Sequence, residues 1–349
     1  MYAIWRSNKQ ERRLHKCAGK AHMLYSMVSE NANSLLALAG ILFAFTATIF
    51  ATGRLGQYLP KDAGREYAHD GKLSAGKPRG AGIIFVLAFA VTAFLFVPVK
   101  AEIEIYLILT VVSMITGFLD DASEKPWGEF KKGFLDLCVA VLVAETYLKY
   151  NPNTIELALF HMQLEIPKVL FAMLIVILVW GSVNVTNCAD GVDGLSGTLA
   201  AVTLTTIYVL NRILDQGTDF AYVILLFVVC ILGYLWYNAN PSRLMMGDAG
   251  SRAMGLFISI AILKTGSPLL YIPVALVLML DGGLGLVKVS LIRLFKIHIM
   301  KNIRTPLHDH VRKNWGWSNT QTVFRFAIIQ IILSMAVVFG ISVNGMKIF

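Results

Sequence analysis

Apolar residues run along this chain in ten blocks, each close to the ~20 residues that a helix needs to cross a hydrocarbon layer. The blocks fall near 32–53, 81–99, 102–119, 133–150, 167–186, 197–212, 219–238, 251–266, 269–291 and 322–343, with short polar stretches between them. The pattern predicts an all-α polytopic membrane protein, a single domain over 1–349 with about ten transmembrane helices. No period of roughly 20–50 residues repeats, so a solenoid is not expected. Between the fourth and fifth blocks, residues 152–166 alternate apolar and polar and predict a short external β-hairpin. The ninth block holds Asp281 beside Gly282, Gly283 and Gly285. An ionisable residue on so pliant a backbone predicts a break, or a helix facing a polar cavity.

Composition strengthens the membrane reading. Of 349 residues, 56% are hydrophobic and 15% charged, where a soluble globular chain has about 45–50% and 25%. The formal net charge of +9 would suit nucleic acid, but in a membrane chain it first reports orientation, because Lys and Arg gather in cytoplasmic loops. Membrane lipids are therefore the expected surroundings, and no nucleic-acid partner is. The loops after odd-numbered blocks carry 17 Lys and Arg, counting Arg252 just inside the eighth helix; those after even-numbered blocks carry 5. The odd loops are thus cytoplasmic. Arg6, Lys9, Arg12, Arg13, Lys16 and Lys20 pull the other way, and residues 1–30 read as an interfacial segment. No cleavable signal peptide is expected. The four cysteines are widely spaced and form no CxxC pair, which suits apolar filling rather than disulfides or zinc.

The polar residues with chemistry concentrate in those odd loops. GFLDD ends the third block with Asp120 and Asp121, adjacent carboxylates that need a cation to stay ionised together; magnesium, which takes one or two carboxylates plus phosphates and water, fits an open helix end. The fifth loop, NVTNCADGVDGLSG, brings Asn184, Asn187, Asp190 and Asp193 together at three-residue steps, either on one helix face or in tight turns. It lacks the glutamate of an EF-hand loop. In YNANPSRLMMGDAGSR, Asn238 and Asp248 stand with Gly247, Gly250 and Ser251 ahead of a helix whose N-terminus could seat an anion. No GK[ST] follows, so it is not a Walker A loop. His308, Asp309 and His310 lie among Arg304, Arg312 and Lys313, which suits phosphate or a metal–phosphate complex better than zinc. The first loop, HDGKLSAGKPRGAG, with His69, Lys72, Lys77 and Arg79, reads as an anion site or an attraction to anionic lipid.

These motifs, in this order from about residue 52 to 328, resemble the polyprenyl-phosphate N-acetylhexosamine-1-phosphate transferase superfamily (glycosyltransferase family 4), and within it the phospho-N-acetylmuramoyl-pentapeptide transferases. The resemblance implies a multi-pass enzyme of the bacterial plasma membrane with ten helices, a cytoplasmic active-site cleft and magnesium. Its substrates would be UDP-N-acetylmuramoyl-pentapeptide and undecaprenyl phosphate, its products lipid I and UMP, and a homodimer is an assembly it allows. It implies Asp248 as magnesium ligand, Asp120 and Asp121 as ligand and candidate base, and Asn184 and Asn187 in the same polar centre. Asp190, Asp193 and Asn238 would hold the nucleotide, His308 would contact donor phosphate, and Lys72 and His310 would lie at the substrate. The chain departs from the family pattern in five places, the first being a spacing from His69 to Gly76 two residues longer than usual, which bears on Lys72. Asp309 interrupts a histidine triplet, Met245 stands where a phenylalanine usually stacks on uracil, and Asp281 replaces a glutamate. The usual lysine after the paired aspartates has three candidates, Lys125, Lys131 and Lys132.

The implied reaction is attack of the lipid phosphate on the β-phosphorus of the donor, with either aspartate orienting the acceptor or removing a proton. Two alternatives compete. A related transferase would take UDP-N-acetylglucosamine, which the PRGAG wording favours slightly and GWSNTQTVFRF does not. An ion-coupled transporter would place its acids near the bilayer midplane, where only Asp281 fits.

Overall fold

The computed structural model describes residues 33–62, 64, 74–98, 100–160 and 162–345. The interfacial segment expected over 1–30 lies outside them, as do His69 and Lys72. Each of the ten apolar blocks carries helix. In chain order these are α1 (Asn33–Leu55), α2 (Gly82–Phe96), α3 (Ala101–Asp121), α4 (Glu129–Tyr150), α5 (Lys168–Cys188), α6 (Leu195–Ile213), α7 (Thr218–Asn238) and α8 (Gly247–Leu263). The ninth block is divided among α9 (Tyr271–Val274), α10 (Leu276–Leu278), a π-helical turn (Met279–Gly283) and α11 (Leu284–Phe295). Two more helices follow, the polar α12 (Leu307–Trp315) and the apolar α13 (Asn319–Gly345). Five of them, α1, α3, α5, α7 and α13, are long and apolar enough to cross a membrane, and the bent ninth block makes a sixth when taken as one span. Length and composition therefore establish an all-α membrane chain with fewer certain crossings than the ten blocks predict.

Helix α8 is the axis of the bundle. Every one of its residues from Gly247 to Leu263 is buried, as expected of a helix with no solvent or lipid stripe. Small residues let its neighbours come in: a Cβ at Gly82 of α2 would stand 1.9 Å from the backbone nitrogen of Gly250. On another side Ser182 Oγ of α5 donates to the carbonyl of Gly255 at 2.7 Å. The helix begins at Gly247, earlier than the block at 251–266 predicts, so Asp248, Gly250 and Ser251 sit inside its first turns rather than in a loop. Arg252, counted above among the loop cations, is likewise a buried helix residue.

The expected hairpin is present: β1 (Thr154–Leu157) pairs antiparallel with β2 (Met162–Glu165), with Ile155 opposite Leu164. It lies at the end of the bundle away from the helix ends that carry the acidic motifs.

The ninth block breaks by 73° between Val274 and Leu276, upstream of the place that Asp281 and its glycines predict; those residues form the π-helical turn inside the second piece. A bend at membrane depth frees backbone groups that nothing in hydrocarbon can satisfy. Gln330 of α13 supplies the partners: its Oε1 accepts the N–H of Val277 at 2.9 Å, and its Nε2 donates to the carbonyls of Val274 at 2.8 Å and Pro273 at 3.2 Å. Gln330→Leu keeps the volume and removes all three bonds. It should lower the stability of the purified protein by about 1–3 kcal/mol, measured as a reduced midpoint of thermal unfolding in detergent.

Candidate active site

Adjacent acids at the C-terminus of a helix oppose its dipole, so the Asp120–Asp121 pair that closes α3 must be held from elsewhere. Asp121 accepts the N–H groups of Asp248 at 3.1 Å and Ala249 at 3.0 Å, and Arg79 Nε lies 2.9 Å from its Oδ1. Its side chain is 0% exposed. Those two amides are among the first-turn donors that α8 cannot satisfy itself. The anion seat that the sequence predicts at this helix N-terminus is therefore taken by a carboxylate of the protein. Gly247 makes the approach possible: its φ is +68°, and a Cβ there would stand 2.2 Å from Asp121 Oδ2.

Asp120 has different partners. Its Oδ1 accepts the Trp127 N–H at 2.6 Å, and its Oδ2 pairs with the Lys132 ammonium, which also lies 2.9 Å from Asp248 Oδ2. Arg79 reaches Asp248 at 3.4 Å and Asp62 at 3.6 Å. Two cations thus bridge four carboxylates. Burial opposes the charge on Arg79, but Asp121, Asp248, Asp62 and Asp190 outweigh it and hold the guanidinium above its ordinary pKa. Asn187 donates to Ser251 Oγ at 2.9 Å and also hydrogen-bonds the Asp248 carboxylate. A cleft of about 540 Å³ opens on this cluster. Among the described residues no group of three or more His, Cys, Asp or Glu is arranged to hold a metal ion.

A second set of contacts ties the loops around the cleft. Lys77 Nζ lies 3.4 Å from Asp193 and 3.1 Å from Ser242 Oγ, and Asp193 also accepts the Ser242 N–H at 3.2 Å. Asn238 accepts the Gly194 N–H and donates to the Leu244 carbonyl, both at 2.9 Å. The backbone of Met245 accepts from Ala81 at 3.0 Å and donates to Pro78 at 2.8 Å. Through these contacts the fifth and seventh loops and the PRG segment form one rim.

His308 completes the rim from α12. Its backbone N–H and its Nδ1 both meet the buried carboxylate of Asp281, at 2.7 Å and 2.9 Å. A carboxylate only accepts, so Nδ1 carries the proton and Nε2 is left as the acceptor. Nε2 rests against Gly191, where a Cβ would stand 2.3 Å away. His310 is engaged elsewhere. Its Nδ1 accepts the Arg304 N–H at 3.2 Å, and its ring meets Trp315 edge-on. Asp309 pairs with Arg312 and Lys313 along α12.

The structure therefore brings Asp120, Asp121, Asp248, Lys132 and Asn187 into one cluster. Asp190, Asp193, Asn238, Met245 and His308 stand around it. Asn184 donates to Trp180 of its own helix at 2.8 Å. Of the three candidate lysines only Lys132 enters; Lys125 is exposed and Lys131 lies over the Trp127 ring at 3.3 Å. Sequence reasoning passed over Asp62 and left Arg79 as a generic anion contact, although an acid two residues before a glycine and an Arg between Pro and Gly are turn signals worth pairing.

Comparison with known proteins adds an independent observation. Residues 103–266 match the family model for glycosyl transferase family 4. A phospho-N-acetylmuramoyl-pentapeptide-transferase of Treponema pallidum (strain Nichols) is 38% identical over 297 residues, covering 80% of this chain and 82% of that protein. Proteins of the same name from Symbiobacterium thermophilum and Rubrobacter xylanophilus are 29% and 28% identical over 307 and 321 residues; each alignment covers 84% of this chain, and 90% and 92% of those proteins.

Asp121→Ala strands two buried amides and takes from Arg79 the shortest of its carboxylate contacts. It should cost about 2–5 kcal/mol of fold stability, against about 0.5 kcal/mol or less for Glu124→Ala at the exposed rim. Thermal unfolding of the two variants side by side checks the difference.

Proposed function

Because this chain belongs to the phospho-N-acetylmuramoyl-pentapeptide transferase family, we propose that it transfers phospho-N-acetylmuramoyl-pentapeptide from UDP to undecaprenyl phosphate. The products are UMP and lipid I, an intermediate of peptidoglycan synthesis. The observation that carries this reading is the Lys132 ammonium shared by Asp120 and Asp248 at the mouth of a cleft.

An oxygen of the lipid phosphate forms a bond to the β-phosphorus of the donor. The bond from that phosphorus to the oxygen bridging to UMP breaks, and UMP leaves with the electron pair. Such a transfer needs mostly alignment and charge neutralisation. The lipid phosphate is largely ionised near neutral pH, since its second pKa lies near ~6, so no strong base is required. Asp121, enclosed and fully bonded, serves as the holder of α8 rather than as a base or metal ligand. Lys132 and Arg79 neutralise phosphate charge at the cleft. His308, its Nδ1 proton fixed on Asp281, offers Nε2 beside the Asp190–Asp193 loop, where a bridging water would carry its contact to donor phosphate.

Magnesium fits the donor set. Asp120 and Asp248 already turn one oxygen each onto a single cation, Lys132, and carboxylates outnumber cations in the cluster. Two carboxylates suffice when substrate phosphates and water fill the remaining positions. Held there, magnesium would supply charge neutralisation along the pyrophosphate.

The Lys and Arg imbalance, which stands without Arg252, supports ten crossings and an active site on the cytoplasmic face of the bacterial plasma membrane. Lys132→Met, Asp120→Asn and Asp248→Asn should each lower UMP release from UDP-N-acetylmuramoyl-pentapeptide by about 100-fold or more. Near wild-type turnover in all three would overturn the assignment. UDP-N-acetylglucosamine offered in parallel tests the donor: UMP release from that sugar alone would move the chain to the related branch.

A further inference from the structure

One helical turn beyond the reacting cluster, a second pair of opposite charges joins the same two helices. Asp136 follows Lys132 by four residues on α4, and Arg252 follows Asp248 by four on α8, so each couple shares a helix face. Arg252 Nε lies 3.2 Å from Asp136 Oδ1, and its Nη2 bonds the same oxygen. That Nη2 also donates to the backbone carbonyl of Lys132 at 3.4 Å. Arg252 is 2% exposed and Asp136 5%. The two rungs alternate in sign. In the first a cation of α4 meets an anion of α8; in the second the charges are exchanged.

For joining two helices, a buried ion pair is a poor choice. Its desolvation offsets much of its attraction, and an apolar pair of similar volume is often as stable or more so. An apolar pair cannot, however, donate to the carbonyl of Lys132. That carbonyl needs holding because Lys132 lies in the first turn of α4, which has no side-chain cap and is where helices fray. We propose that Arg252, oriented by Asp136, is a positioning residue for the transfer reaction: it grips the backbone of Lys132 and so fixes where the ammonium stands between Asp120 and Asp248. This inference rests on the transferase reading above.

The test compares UMP release and thermal unfolding in three variants. Asp136→Leu with Arg252→Met removes both charges and keeps apolar packing, so unfolding should stay within a few degrees of wild type. The expected result is a kcat about tenfold lower with the donor KM changed less than twofold. Exchanging the charges, Asp136→Arg with Arg252→Asp, restores an ion pair but leaves α8 no donor for the Lys132 carbonyl, so kcat should not recover. Arg252→Lys keeps the charge against Asp136 and loses the forked second bond. It decides the matter where a double variant does not fold: a kcat reduced severalfold supports the grip. Wild-type kcat in any folded variant of the three overturns it, leaving the pair a merely structural role. A wild-type chain that releases no UMP would remove the transferase reading itself and this inference with it.

Discussion

Every helix begins with amides that its own turns cannot satisfy, and α8 begins buried among its neighbours. Wrapped on all sides and started by a glycine at positive φ, it has to find acceptors from the protein. Asp121 is that acceptor, and most of the site follows from it. The carboxylate draws the end of α3 under the start of α8. Arg79 is drawn in to balance it, and Asp248 is left pointing its own carboxylate at Lys132. The close pass of Gly82 against Gly250 brings the PRG segment to the same place. A structural requirement of the fold and the geometry of a reacting centre are met by the same few contacts.

This arrangement separates two acids that are neighbours in sequence. Asp120 and Asp121 look equivalent in GFLDD, and either qualifies there as base or ligand. In the structure Asp121 is enclosed and bonded on both oxygens, whereas Asp120 shares Lys132 with Asp248 beside the cleft. The difference is one of direction around a helix end, and no spacing of residues encodes it.

The ten helical blocks and the hairpin were legible because each rests on local pattern, apolar runs and alternation; an acid among glycines announced a break in the ninth block but not its place at Ala275. The acidic loops were legible as a group because they share one side of the topology. Partners were less so. Lys132 could not be told from Lys125 and Lys131 until the turn of α4 was known. The supposed phosphate seat at α8 proved internally filled, since an anion site and a helix cap use the same amides. Arg252 and Asp136 were hidden for a related reason. Each is the one charge within an apolar stretch of its helix, and only their juxtaposition across 116 residues of chain explains either.

Gln330 carries a consequence for biogenesis. The backbone groups freed at the bend between Val274 and Val277 are satisfied by a side chain in the last helix, made only after the ninth block has been synthesised. Without α13 the backbone groups at that bend lack their hydrogen-bond partner, so the bent form is not secured before that helix is made. The carboxy-terminal helix therefore acts as a late keystone. A ribosome stalled before it would leave nine blocks in place with the His308 support, Asp281, standing on an unsecured turn.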